Sequence, residues 1–216
     1  MSNRITIESP LKGFYVRHPS APNADEAALL AFQELALCTH LNIRGDASDK
    51  KFCGGIQDVL GIPLPVKPGF YNFANSPKSS SIDSLYWLGP DEWLLISKRC
   101  AKNLETQLRS VFSGNIAIVD VSAGQTILNI SGDATAVTTV LKKSSVYDFG
   151  AWPPATTNGG RCAQTTFAKA SALVACRQNG SFDLVVRGSY ADYIAKWLLD
   201  AGDEFGCYFK GQREME

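Results

Sequence analysis

The sequence predicts an α+β protein built from two ferredoxin-like β-α-β-β-α-β units that form one compact body, and three observations carry that expectation. Leu-Asn-Ile-x-Gly-Asp-Ala is written twice, at 41–47 and at 128–134. The same order of strand-like and helix-like segments follows each copy, and agreement between two levels of pattern argues for duplication. Both units show the short alternating runs and amphipathic stretches of a sheet covered by helices on one face.

An irregular arm, 1–34, comes first, because Pro10, Pro19 and Pro22 break any period ahead of an Ala-rich stretch at 25–34 with the pattern of a short helix. The first unit, 35–122, starts with strict alternation (Leu35, Leu37, Thr39, Leu41, Ile43), the mark of a strand with one buried face, ended by Gly45 and Asp46. Ser48 is placed to cap a helix carrying Phe52, Ile56, Val59 and Leu60 on one side, with Gly61 and Pro63 as its stop. A Pro-rich, then Ser-rich loop (63–81) leads to a hairpin, 84–88 and 93–97, around Gly89-Pro90-Asp91-Glu92. A helix with Leu104, Leu108, Val111 and Phe112 inward and a strand at 116–121 complete the unit.

The second unit, 123–216, repeats this order. It has a strand at 125–130, a helix at 133–143 with Val137, Val140 and Leu141 inward, and strands near 163–168, 172–177 and 182–187. A helix with Tyr190, Ile194, Trp197 and Leu198 on one face and a short strand at 207–210 follow, so this unit carries one strand more than the first. Within the repeated segment, Leu and Ile point to the core, Gly permits the turn, and Asp or the next Ser/Thr caps a helix. A capped strand-to-helix turn is one reading of Gly45-Asp46 and Gly132-Asp133, and an anion site at the helix N-terminus is the other.

A chain of 216 residues is long enough to bury roughly three quarters of its unfolded surface. Lys plus Arg (21) balances Asp plus Glu (21), so no long-range field draws in a polyanion and nucleic acid is not expected as a partner. Six scattered cysteines without a Cys-x-x-Cys pair read as buried free thiols. No signal-like run opens the chain and nothing approaches the ~20 apolar residues of a membrane span, so the expected compartment is the cytoplasm, with no membrane partner.

Chemistry-bearing motifs are sparse. No two glycines are spaced as a dinucleotide fingerprint needs, and Gln212 stands where a P-loop lysine would follow Gly206 and Gly211. No Gly-x-Ser-x-Gly elbow is present. Cys38 and His40 share a strand face with Asn42 and Arg44, which reads as a polar interface surface more readily than as metal ligands, because two ligands close no tetrahedral site; His18 lies in the arm. Asp91-Glu92 sits at a hairpin tip, where solvent keeps both carboxylates ionised. Asp120 interrupts an apolar strand and needs a fixed partner: either backbone N–H groups across the Ser122-Ala123-Gly124 turn, or the amine or amide of a ligand. No residue is assigned a catalytic, cofactor-binding or metal-ligating role. Trp87, Trp93, Trp152, Tyr190, Tyr193 and Trp197 supply aromatic material for a core and for protein contacts.

Four spaced motifs together resemble the gamma subunit family of heterotetrameric sarcosine oxidase: Trp87-Leu88-Gly89-Pro90-Asp91-Glu92-Trp93-Leu94-Leu95, Val119-Asp120-Val121-Ser122, Gly160-Arg161-Cys162-Ala163-Gln164-Thr165, and Val186-Arg187-x-Ser189-Tyr190-Ala191-Asp192-Tyr193. The likeness runs from about Leu41 to the C-terminus. More distantly, Val119 to Ser122 and Ile130-x-Gly132-Asp133-Ala134 are similar to the segment entering the folate-binding domain of the glycine-cleavage T-protein, departing from it where Ala123 replaces a His in a shorter turn. The resemblance implies an assembly with alpha, beta and delta subunits, contacted mainly through alpha, in the oxidative demethylation of sarcosine to glycine. It also implies that the complex, rather than this chain, carries FAD, FMN and NAD and uses tetrahydrofolate. Two alternatives stand beside this one: a subunit of a related dehydrogenase for another N-methyl amino acid such as N-methylglutamate, and a free-standing folate-binding one-carbon protein.

Overall fold

Among the residues described by the computed structural model (8–18, 28–74, 83–112, 114 and 116–211), the chain forms eleven strands and five α-helices. Helix α1 (Lys12–Arg17) and strand β1 (Leu30–Glu34) come first. The first half then runs β2 (Thr39–Arg44), α2 (Lys50–Leu60), β3 (Phe70–Phe73), β4 (Ser84–Gly89), β5 (Glu92–Ser97), α3 (Ala101–Val111) and β6 (Ala117–Asp120). The second runs β7 (Gln125–Gly132), α4 (Ala134–Ser144), β8 (Gly159–Phe167), β9 (Ala170–Cys176), β10 (Phe182–Arg187), α5 (Ala191–Gly202) and β11 (Cys207–Phe209).

All strands join one sheet in the order β11-β1-β7-β10-β9-β8-β3-β4-β5-β2-β6. The halves are stitched at β3 and β8, which pair antiparallel with Tyr71 opposite Gly160. Outward from that seam, β3-β4-β5-β2 mirrors β8-β9-β10-β7. Strand alternation then sorts the side chains into three cores. On the outer face of the first half, Leu41, Ile43 and Trp93 pack under Phe52, Ile56 and Leu104 of the helices. On that of the second, Leu128, Ile130 and Leu184 pack under Val137, Val140, Ile194 and Leu198. The third core joins Tyr86, Leu94 and Ile96 to Ile127, Leu173 and Val185, so the sheet curls until its two inner faces meet.

Several elements differ from the sequence expectation. The stretch at 25–34 forms no helix where described: residues 30–34 are β1, held by β7 on one side and β11 on the other. Ladder pairing there overrides the helix preference of Ala and Glu. The arm is not wholly irregular either, because α1 buries Phe14 against Phe32 and Phe209 in the second half's core. Strand β2 begins at Thr39 rather than Leu35; residues 35–38 turn, with Leu37 exposed and at a φ of 58°. Asp49, one residue beyond the expected Ser48, caps α2 by accepting from the Lys51 N–H, while Ser48 donates to Asp46.

The expected loop at 63–81 contains β3, so each half carries three strands between its helices, in the order β-α-β-β-β-α-β. The strand expected as an extra in the second half thus has its counterpart in the first. In both halves the leading strand pairs antiparallel with the last of the three, β2 with β5 and β7 with β10. Pro19, Pro22, residues 25–27, the Ser-rich part of the loop (75–82) and Gln212 lie outside the described residues.

Candidate functional site

Where the inner faces meet, they leave a cavity of about 580 Å³. Its lining mixes apolar side chains (Leu35, Tyr71, Phe73, Ile96, Ile127) with polar ones (Asn129, Arg177, Ser181, Asp183), and Lys98 and Lys210 also line it. Asp183 is almost wholly buried on β10. Its carboxylate accepts from the Nδ2 of Asn129 at 2.7 Å and from two nitrogens of Arg177. Asn129 belongs to the second copy of the repeated segment, and its other contacts run to Ser181 and the Phe182 carbonyl. The Tyr71 hydroxyl donates to the Cys176 carbonyl at 2.7 Å and its ring stacks on Tyr86. Burial raises both phenols, so neither ionises in the ordinary range.

The residues singled out in the sequence fall around this cavity or away from it. Cys38 lines it, with its thiol pushed up by burial; Cys162 behind Tyr71 is pushed up to about 12, also by burial. Thiols held protonated in this way are poor nucleophiles; all six cysteines are free, but only Cys162 and Cys176 are buried as expected and Cys100 is exposed. Asn42 donates to Glu92 at 2.7 Å and Arg44 pairs with Glu92 at 2.7 Å, so the acidic hairpin start serves its neighbouring strand. The Asp120 carboxylate accepts from the Ser122 N–H at 2.9 Å and from the Ser122 hydroxyl, the first of its two expected roles. Among the described residues, no three His, Cys, Asp or Glu side chains converge as a metal would require.

Sequence reasoning did not identify the Asp183–Arg177 pair or the cavity. The signal was present: Asp183 breaks the apolar run 182–186 as Asp120 breaks 116–121.

His40 bridges the halves. It is buried, its Nδ1 lies 2.8 Å from Gln125 Oε1 on β7, and its backbone N–H donates to the Ser122 hydroxyl. Burial lowers its pKa below the ordinary 6.5, against opposing pulls from Gln125 and Asp120. Between the lowered folded value and 6.5 the unfolded chain binds more protons, so the native state loses ground as pH falls through that window. Urea midpoints are therefore expected to be level above about pH 6.5 and to decline below it. The decline should shrink in His40→Gln; an unchanged slope in that variant would place the titration elsewhere.

The model of the sarcosine oxidase, gamma subunit family matches residues 44–204. Sarcosine oxidase subunit gamma from Corynebacterium sp. strain P-1 is 26% identical over 179 residues, covering 83% of this chain and 83% of that one. The subunit of the same name from Corynebacterium sp. strain U-96 is 26% identical over 199 residues, covering 92% and 91%. Two solved structures share the fold. Heterotetrameric sarcosine oxidase from Corynebacterium sp. U-96, in complex with pyrrole 2-carboxylate, superposes with a TM-score of 0.75 at 22% identity, covering 96% of this chain and 98% of that chain. Glycine cleavage system aminomethyltransferase T from Bartonella henselae gives a TM-score of 0.63 at 10% identity, covering 94% and 58%. With the family model spanning well over half its length, the chain belongs to the sarcosine oxidase gamma subunit family.

Proposed function

We propose that this chain is the gamma subunit of a heterotetrameric sarcosine oxidase, where its role is structural: it holds the assembly that oxidatively demethylates sarcosine to glycine. The observation that carries the structural role is that the candidate polar groups are spent on neighbours within the chain. Asp183 is engaged by Arg177 and Asn129, Asp120 by Ser122, and His40 by Gln125. On this reading the partners are the alpha, beta and delta subunits, chiefly alpha, in the cytoplasm. FAD, FMN, NAD and the tetrahydrofolate chemistry then belong to those partners. No described helix is long and apolar enough to cross a membrane. The mirrored strand order supports a duplicated architecture whose halves, 35–122 and 123–216, act as one body, with the ferredoxin-like plan extended by a strand in each.

Tagged full-length chain, expressed with its genomic neighbours, is expected to copurify with them and with flavin absorbance. Recovery of the chain alone, beside an oxidase that is active without it, would sink the reading. The cavity between the inner faces favours folate binding as a second reading, and titrating tetrahydrofolate into the tagged full-length chain purified without its neighbours separates the two. Heat that disappears in Asn129→Leu would establish folate binding at the cavity, and no heat at high micromolar ligand would remove it.

A further inference from the structure

Two proline-bearing loops, one from each half, flank the β3–β8 seam: residues 63–69 lead into β3 and 152–158 into β8. Arg161 lies between them, directly across the ladder from Phe70. Its guanidinium carbon is 5.0 Å from the centre of the Phe70 ring and 5.5 Å from that of Trp152, and Lys67 Nζ is 4.5 Å from the same Phe70 ring. The rings fix the plane of the guanidinium and strip water from it.

Among the described residues, no carboxylate answers this charge. Arg161 Nε is buried without a hydrogen-bond partner. The ion pairs among the described residues all lie elsewhere, at Arg17, Arg44, Arg99, Arg109, Arg177 and three lysines other than Lys67. Residues 63–70 and 152–161 contain neither Asp nor Glu. Around the two cations the surface is stiff and apolar, with Pro68, Pro153 and Pro154 exposed and Val66 63% exposed. A planar, half-buried, pre-oriented arginine with an aromatic backing is the kind of residue that dominates a protein interface. Its geometry calls for a carboxylate, which takes two parallel N–H bonds where a point anion takes one.

We propose that Arg161 anchors a docking surface for another subunit, donating a bidentate pair of hydrogen bonds to an Asp or Glu side chain of that partner, with Lys67 adding charge at the rim. This inference rests on the assembly role proposed above. It assigns a function to the loop at 152–158: Trp152 backs the guanidinium while Pro153 and Pro154 hold the rim rigid, so little freedom is lost on docking.

The test uses the tagged full-length chain expressed with its genomic neighbours, comparing wild type, Arg161→Gln, Arg161→Lys and the control Arg17→Gln, whose arginine pairs with Asp192. Subunit affinity, read from dilution series by native mass spectrometry, should fall on the order of 30-fold or more in Arg161→Gln. Arg161→Lys should lose most of that too, because an ammonium cannot present the parallel pair, while Arg17→Gln should match wild type. Equal affinities for wild type and both Arg161 variants would overturn the anchor while leaving the assembly role intact. A wild-type chain that returns alone would overturn both. Phenylglyoxal labelling of the wild-type protein guards against misfolded variants: Arg161 should react in the free chain and be protected in the complex. Equal labelling in both states, or protection by acetate alone with no further change on assembly, would also overturn the proposal.

Discussion

Replacing Asp183 with Ala is expected to lower the unfolding free energy by about 3 kcal/mol, the low end of what breaking a buried ion pair costs. Asp183 is 1% exposed and the Arg177 side chain 26% exposed, so the arginine left behind is only partly able to recover water. The loss has two parts. A charged guanidinium loses its carboxylate inside the protein, and the Asn129 Nδ2, which donates to that carboxylate at 2.7 Å, loses its best acceptor. Because the damage comes from orphaned groups, removing the second charge should undo much of it. Asp183→Leu combined with Arg177→Met is expected to sit closer to wild type than Asp183→Ala does, since an apolar pair of similar volume escapes the desolvation cost. Urea unfolding of the three proteins at pH 7 and low salt measures both effects. A single variant within about 0.5 kcal/mol of wild type, the usual range for surface changes, would show that the pair is solvated in solution.

Why this pair escaped a reading of the sequence bears on how much of the molecule was legible there. Local pattern was enough for α2, α3, α4 and α5, each of which lays one apolar stripe on a single core, and for the β4–β5 hairpin, whose turn is written in Gly89-Pro90-Asp91-Glu92. It was not enough for β1, which is a strand because β7 and β11 flank it, and both lie about a hundred residues or more downstream. Nor was it enough for β3, whose four residues follow a Pro-rich run and pair with β8 in the other half. The cavity is one step further removed. Its walls alternate with core positions along β1, β3, β5, β7 and β10, so they become a site only when the sheet curls and sets Ile96 near Ile127. Asp120 and Asp183 look alike in sequence, each a lone acid in an apolar run. Their difference is that Asp120 lies on an edge strand and bonds its own turn, while Asp183 lies on a strand with neighbours on both sides.

Gly132→Ala is expected to be the more damaging of the two glycine substitutions in the repeated segment, at about 4 kcal/mol or more against roughly 1–2 for Gly45→Ala. At Gly45 no positive φ is involved, and a Cβ would meet the Phe52 ring at 2.5 Å, so the clash falls on a side chain packed against Trp93 and Phe112 and not on backbone. At Gly132 φ is 138°, and a Cβ would stand 2.0 Å from the Leu29 carbonyl oxygen, which belongs to backbone. That oxygen is where it is because it accepts the Asp133 N–H at 2.8 Å, at the point where β1 enters its ladder with Leu30 opposite Gly132. A methyl group there therefore pushes the start of β1 off β7 and takes with it β11, whose one strand partner among the described residues is β1. The same motif thus serves two ends: in the first half its glycine makes room for a helix residue, and in the second for a strand from the N-terminal arm. Hydrogen exchange should separate the mechanisms. Amides of β1 and β11 should lose protection in Gly132→Ala while those of β2 keep theirs, and Gly45→Ala should show no such pattern. If Gly132→Ala cost no more than Gly45→Ala, β1 would be docking without need of the bare backbone at Gly132.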